Sequence, residues 1–188
     1  MALTAGTKAP DFKTTDQDGK EVSLSALKGK KVVLYFYPRD MTPGCTAEAC
    51  SLRDNYKALQ KAGYEVFGVS TDNEKSHKKF IEKEKLPFRL LADIDKTVHN
   101  KYGTWVEKSM YGRKYMGTAR VTYIINEQGV VDEVIEKVDT KNHAGQILGG
   151  GVSAAPIPPA QKTVKKAPKK RPSEVGRKIA SKNTKQKR

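Results

Sequence analysis

The sequence predicts an α/β fold with a central mixed β-sheet flanked by helices, on three observations. Two short apolar runs, Lys31–Tyr37 and Tyr64–Ser70, have the continuous hydrophobicity of strands buried on both faces. Each is followed by a segment with apolar residues at helical spacing, the alternation that builds parallel strand pairs. Further on, two β-rich runs flank Asn126-Glu-Gln-Gly129, a hairpin signal that adds antiparallel pairing.

The elements follow in order. Pro38 to Gly44 reads as a loop. A helix is expected from about Pro43 to Ala62, with Leu52, Tyr56 and Leu59 on one face and Gly63 as its stop. Glu74–Lys85 reads as an amphipathic helix with Phe80 and Ile81 inward and its lysines outward, ended by Pro87. Phe88–Leu91 begins a third strand, and a short helix is expected over 95–102. Strands are expected over 118–125 and 130–137, then a last short helix over 142–148. No internal repeat is visible. A strand feeding a helix that opens with a cysteine is the thioredoxin-like arrangement, which does not by itself give a function.

Charge divides the chain. Of a net +15, most lies in residues 151–188, which hold twelve Lys or Arg against one acid, Glu174. That segment has no aromatic residue, few aliphatics and several prolines, so it cannot bury enough apolar surface to offset its ordering entropy. The expected organisation is a thioredoxin-like domain over 1–150 and a disordered basic tail over 151–188. The start, MALTAGTKAPDF, has no apolar signal-peptide region. The longest apolar run, Val32–Tyr37, is far too short to span a bilayer. A cytoplasmic protein without membrane association is expected. In a reducing compartment the two cysteines, Cys45 and Cys50, are redox-active or metal-binding rather than structural. His77, His99 and His143 are scattered without ligand spacing, so no metal and no cofactor is expected. His77, in a lysine-rich helix, is expected in solvent; Trp105 and Tyr102 are expected to pack rather than to hold a cofactor.

The chemistry concentrates in Pro38-Arg-Asp-Met-Thr42-Pro-Gly-Cys45-Thr-Ala-Glu48-Ala-Cys50. Pro43 suits the first helical position, which puts Thr42 at the N-cap, its side-chain oxygen accepting an N–H one turn in. Cys45 then falls in the first turn, where free N–H groups and the helix dipole favour a thiolate. A thiolate attacks an electrophilic peroxide oxygen and becomes a sulfenic acid. Five residues of regular helix separate the Cys45 and Cys50 Cα atoms by about 8–9 Å, beyond the ~7 Å reach of a disulfide. A bond between them therefore requires the start of the helix to unwind.

Pro38-x-x-x-Thr42-x-x-Cys45 resembles the active-site signature of the peroxiredoxins, and Thr42-Pro-Gly-Cys45-Thr-x-Glu48-x-Cys50 is similar to the bacterioferritin-comigratory (PrxQ) subfamily. The similarity continues through Lys101-Tyr-Gly-Thr-Trp105 and Lys114-Tyr-Met-Gly-Thr-Ala-Arg120-Val-Thr-Tyr-Ile-Ile-Asn126, and covers residues 3–148. The resemblance implies a peroxidase that reduces hydrogen peroxide and organic hydroperoxides without metal, flavin or haem. It implies that Cys45 is the peroxidatic cysteine and Cys50 the resolving one, joined in an intramolecular disulfide. Thr42 would hydrogen-bond the peroxide and the thiolate, and Pro38 would shield the site from water. Arg120 would favour the thiolate and stabilise charge in O–O cleavage, with Glu48 orienting it. It further implies recycling by thioredoxin or a similar dithiol reductant, and a monomer. Two other readings use the same residues: a redox sensor acting through Cys45, and a nucleic-acid-associated protein whose fold is a carrier for its tail. The basic clusters of residues 162–188 suit nonspecific nucleic-acid binding.

Overall fold

Strand β3 (Lys31–Phe36) lies inside the sheet, and its sequence explains why. Successive side chains point to opposite faces. Val33 and Tyr35 enter one hydrophobic core and Leu34 and Phe36 the other, all almost completely buried. A strand apolar on both faces needs cover on both faces, and the rest of the chain supplies it.

The computed structural model describes residues 3–110 and 112–149. β1 (Lys13–Asp16), β2 (Glu21–Ser23) and a 3-10 turn (Leu24–Leu27) precede β3. Helices α1 (Pro43–Asp54) and α2 (Tyr56–Lys61) lead to β4 (Tyr64–Ser70), and α3 (Glu74–Glu84) leads to β5 (Arg89–Ala92). Next come α4 (Thr97–Lys101), the hairpin β6 (Trp105–Met110) and β7 (Arg113–Thr118), β8 (Val121–Ile125), β9 (Val131–Ile135) and α5 (His143–Leu148). The main sheet has the order β2-β1-β5-β4-β3-β8-β9. β3–β4 and β4–β5 are parallel; β3–β8, β8–β9, β1–β5 and β1–β2 are antiparallel. The mixed, thioredoxin-like α/β fold is the one expected. The expected tail, 151–188, lies outside the described residues.

Three expectations about the elements and their packing need correction, and two strand pairs were not foreseen. The helix expected over 43–62 breaks at Asn55, whose Nδ2 donates to Ser51 O (2.9 Å). Such a side chain competes with the backbone for its own helix. The strand expected to start at Thr118 starts at Val121; Thr118 closes β7, and Ala119 and Arg120 lie between. The β1–β2 and β6–β7 pairs were not foreseen, because their short, polar strands lack an apolar run. Finally, His77 is fully buried. Three residues before Phe80 on α3, it shares the inward face that the lysines avoid.

His77 helps hold the loop that precedes α1. Asp40, only 5% exposed, lies within 3.0 Å of His77 Nδ1 and accepts hydrogen bonds from Tyr37 Oη (2.7 Å) and Ser76 Oγ (2.7 Å). The Asp40 N–H donates to Asp72 Oδ2 (2.8 Å), so the loop is tied to the β4–α3 connection as well. The next residue, Met41, has a left-handed backbone (φ 57°), a conformation that costs a non-glycine residue roughly 1–2 kcal/mol. The Asp40 network fixes the chain where it makes that turn. Burial acts to raise the Asp40 pKa, but His77, Ser76 and Tyr37 outweigh it and hold the carboxyl below the ordinary aspartate value.

Two predictions follow from this packing. A Cβ at Gly68 of β4 would stand 2.6 Å from the Tyr35 ring and 2.7 Å from Leu90. Gly68→Ala is expected to destabilise the fold by about 1–3 kcal/mol, read as a lower urea midpoint. The second concerns pH. A carboxylate with a depressed folded pKa contributes stability above its unfolded value, about 3.9, and loses it as pH falls through the folded one. Asp40→Asn is expected to lower the urea midpoint at pH 7, and the gap from wild type is expected to shrink below about pH 4. A gap independent of pH would show that the Asp40 charge contributes nothing.

Candidate active site

α1 begins as its sequence requires. Thr42 has the extended backbone of an N-cap (φ −78°, ψ 150°), Pro43 takes the first helical position, and Thr46 N donates to Thr42 O (2.8 Å). The Thr42 hydroxyl does not cap the helix, against expectation. It turns back and donates to Arg39 O (3.1 Å), so no side chain caps the first-turn amides. Cys45 sits in that turn, 1% exposed. An anion there meets unpaired N–H groups and the positive end of the helix dipole.

Arg120 reaches this turn from the other side of the sheet junction. In the antiparallel β3–β8 pair, Phe36 faces Val121. One residue beyond that pair on each strand stand Tyr37, leading into the loop, and Arg120. The guanidinium therefore projects where α1 begins. Arg120 Nη2 lies 3.3 Å from Cys45 Sγ, and Nη1 pairs with the fully buried Glu48, one turn along α1 from the cysteine. Burial opposes the Arg120 charge, but Glu48 and Cys45 together outweigh it and raise the pKa. The guanidinium lies directly over the helix start: a Cβ at Gly44 would stand in ordinary van der Waals contact with Nη2, 3.5 Å away. A fixed cation beside a first-turn sulfur stabilises a thiolate, and it also stabilises negative charge developing on oxygen bound at that sulfur.

Cys50 has a different environment on the same helix. It is half-buried, and its Sγ lies 3.8 Å from Glu84 Oε2 at the end of α3. Burial pushes the thiol pKa up; Arg53 works against this, and Glu84 and Asp54 add to it. Both cysteines are free. α1 runs unbroken through both, which keeps the expected separation of about 8–9 Å between their Cα atoms. The two sulfurs thus differ in kind: one faces a cation, the other a carboxylate.

The structure brings Cys45, Glu48 and Arg120 together and places Thr42 at the same helix start. Pro38 is exposed at the beginning of the loop, and its shielding role rests on its place in the sequence pattern alone. Two further residues adjoin the site. Lys108 of β6 donates to Thr118 O, two residues before Arg120; burial first and Arg120 second lower its pKa. His143, the first residue of α5, has Nδ1 3.2 Å from Glu48 Oε1. Their places in the sequence carried no signal, because the contacts come from elements far apart in the chain. All three histidines are buried: His99 of α4 meets Asp93, directly after β5 (2.5 Å), and Thr118 Oγ1 at the end of β7 (3.0 Å). Tyr102 packs in the core as expected. Among the described residues no three His, Cys, Asp or Glu side chains converge as metal ligands, and no helix is long and apolar enough to cross a membrane.

Comparison with known proteins agrees with this geometry. Residues 5–134 match the AhpC/TSA family. Peroxiredoxin Bcp of Escherichia coli is 45% identical over 146 residues, 78% of this chain and 94% of that protein. Peroxiredoxin Bcp of Bacillus subtilis is 41% identical over 148 residues, 79% of this chain and 94% of that protein. A cysteine-to-serine variant of Peroxiredoxin Q from Xanthomonas campestris superposes with a TM-score of 0.73 at 33% identity, covering 79% of this chain and 97% of that one. The agreement spans nearly the whole of those relatives, and the chain belongs to the AhpC/TSA family, in its Bcp/PrxQ peroxiredoxin branch.

Proposed function

We propose that this chain reduces hydrogen peroxide and organic hydroperoxides through Cys45. The observation that carries the reading is the Arg120 guanidinium 3.3 Å from the Cys45 sulfur in the first turn of α1. The Cys45 thiolate attacks one peroxide oxygen, the O–O bond breaks, and the second oxygen leaves as an alkoxide or hydroxide that takes up a proton. Arg120 stabilises that charge, held by Glu48. Thr42, once its hydroxyl turns from the Arg39 carbonyl, hydrogen-bonds the bound peroxide and the thiolate, and Pro38 keeps water from the sulfur. The product at Cys45 is a sulfenic acid. Cys50 then attacks it, a disulfide forms and water leaves; α1 must open for the sulfurs to meet. Thioredoxin or a similar dithiol reduces the disulfide and restores both thiols. A monomer in the reducing cytoplasm fits this cycle, since both cysteines lie on one chain.

Residues 151–188 form a second part of the proposal, as a unit separate from the catalytic domain of residues 1–150. Lys165-Lys166, Lys169-Lys-Arg171, Arg177-Lys178 and Lys185-Gln-Lys-Arg188 cluster positive charge, and such clusters bind polyanions by releasing condensed counterions. The absence of aromatic residues to stack on bases makes the binding sequence-nonspecific. The tail thereby keeps the peroxidase near nucleic acid.

Peroxide consumption with thioredoxin and its reductase tests the first part. Cys45→Ser is expected to abolish turnover at every peroxide concentration, because a serine hydroxyl does not ionise there. Cys50→Ser is expected to give a burst of about one peroxide per chain, leaving a persistent sulfenate detectable with a dimedone probe. Steady turnover in Cys45→Ser would end the reading, and steady turnover in Cys50→Ser would remove Cys50 from it. For the tail, duplex DNA binding across a salt series compares the full chain with one ending at Gly150. The full chain is expected to bind weakly and to lose affinity steeply with salt, while the shorter chain keeps peroxidase activity without binding. Equal affinity at low salt would exclude the tail.

A further inference from the structure

Among the described residues, three buried side-chain atoms have no hydrogen-bond partner of good geometry: Tyr35 Oη, Glu48 Oε1 and His143 Nδ1. They gather in one place. The Tyr35 and His143 rings meet edge to face with centroids 6.1 Å apart, and His143 Nδ1 is 3.2 Å from Glu48 Oε1, close but off the line of a hydrogen bond. Buried polar atoms are nearly always paired, so three exceptions beside a reacting sulfur require a reason.

The reason lies in how a guanidinium prefers to meet a carboxylate. The favoured pairing is a fork, two N–H groups to two oxygens. Arg120 does not make it. Nη1 goes to Glu48 Oε2, and Nη2 goes to Cys45 Sγ. Glu48 Oε1 is the oxygen that would complete the fork and draw Nη2 off the sulfur. His143 faces that oxygen. Its other nitrogen, Nε2, is 2.9 Å from Thr122 Oγ1, so a hydrogen bond at that end holds the ring with Nδ1 against Glu48. Thr122 follows Arg120 by two residues, which closes a circuit through Arg120, Glu48, His143 and Thr122. A second tie fixes α5 against α1: Ala144 N donates to Ser51 Oγ (3.3 Å), one turn beyond Glu48.

We propose that His143 is a positioning residue, occupying Glu48 Oε1 so that Arg120 keeps one N–H on the Cys45 sulfur. The consequence for peroxide reduction rests on the function proposed above, whereas the consequence for thiolate reactivity does not. The two ring nitrogens can be tested separately. The Asn amide nitrogen falls near Nδ1 and can still face Glu48. The Gln amide nitrogen falls near Nε2 and keeps Thr122 but leaves Glu48.

The experiment uses the full-length protein, with two readouts for each variant: the rate of Cys45 sulfenate formation with hydrogen peroxide, and the rate of Cys45 alkylation by iodoacetamide from pH 4 to 9, followed on the Cys45 peptide. His143→Gln is expected to slow sulfenate formation about 10- to 100-fold, the range for a displaced catalytic group, and to move the alkylation profile to higher pH. His143→Asn is expected to recover most of the loss in both. Equal behaviour of the two variants, whether both fast or both slow, would overturn the proposal. If His143→Gln does not fold, His143→Ala takes its place. It removes the group that faces Glu48 and is expected to slow Cys45 where His143→Asn does not; wild-type behaviour in His143→Ala would overturn the proposal. A wild-type protein that alkylates normally but leaves peroxide intact would end the peroxidase reading, and the alkylation profiles would still decide the role of His143.

Discussion

The contact from Arg120 to Cys45 Sγ joins residues 75 apart in the chain, and much of the fold is arranged around it. One end comes from the start of β8 and the other from the start of α1. Both elements meet β3: β8 pairs with it directly, and α1 follows it after a six-residue connection. The position of the guanidinium relative to the sulfur is thus set by a strand register and a loop path. The register is strongly specified, because a slip of one residue would turn the buried side chains of β8 to the wrong face. The loop path is specified by Asp40 and its donors from α3 and from Tyr37.

Histidine and carboxylate recur as the fastening device. His77 with Asp40 holds the loop before α1. His99, held by Asp93, reaches Thr118 at the end of β7, two residues before Arg120. His143 with Glu48 lies beside the guanidinium itself. Each pair is buried, where electrostatic attraction is stronger than at the surface and a missing partner is more costly. None of these pairs was readable in the sequence. A histidine among lysines reads as a solvated residue, and only the helix phase set by Phe80 could have placed His77 inward. His143 gave no sign of Glu48, because the two are brought together by the packing of α5 on α1.

What the sequence did convey follows from strong local signals. β3 and β4 are continuous apolar runs, and Gly63, with φ 86°, ends α2 where a glycine stop was expected. Pro43 and Thr42 marked the helix start to the residue. The side-chain chemistry at that start was less accessible. Thr42 has the backbone of a cap without its hydrogen bond, because its hydroxyl finds the carbonyl of Arg39 instead. The β6–β7 hairpin escaped notice because its strands carry charge and exposed surface, with Gly112 at φ 76° as its one clear turn residue. The site trio of Cys45, Glu48 and Arg120 was available only through the family pattern, since no spacing argument links residue 120 to residue 45.

The proposed cycle places opposite demands on α1, and the helix has the features to meet both. Attack on peroxide needs the first turn formed, since the dipole and the amides act on Cys45 only there. Disulfide formation needs the same turn opened, since Cys50 is out of reach along intact helix. A helix secured at every point would serve the first demand and fail the second. α1 has no side-chain cap, follows a left-handed Met41 and stops after twelve residues where Asn55 competes for its backbone. Against these, Ala49 and Leu52 are buried, and Glu48 and Ser51 meet α5. The inward face, then, rather than the helix ends, holds α1 closed. Cys45 belongs to that face. In the proposed cycle, the unwinding that carries its sulfur toward Cys50 must therefore give up that burial, and the buried contacts of α1 set how readily the disulfide forms.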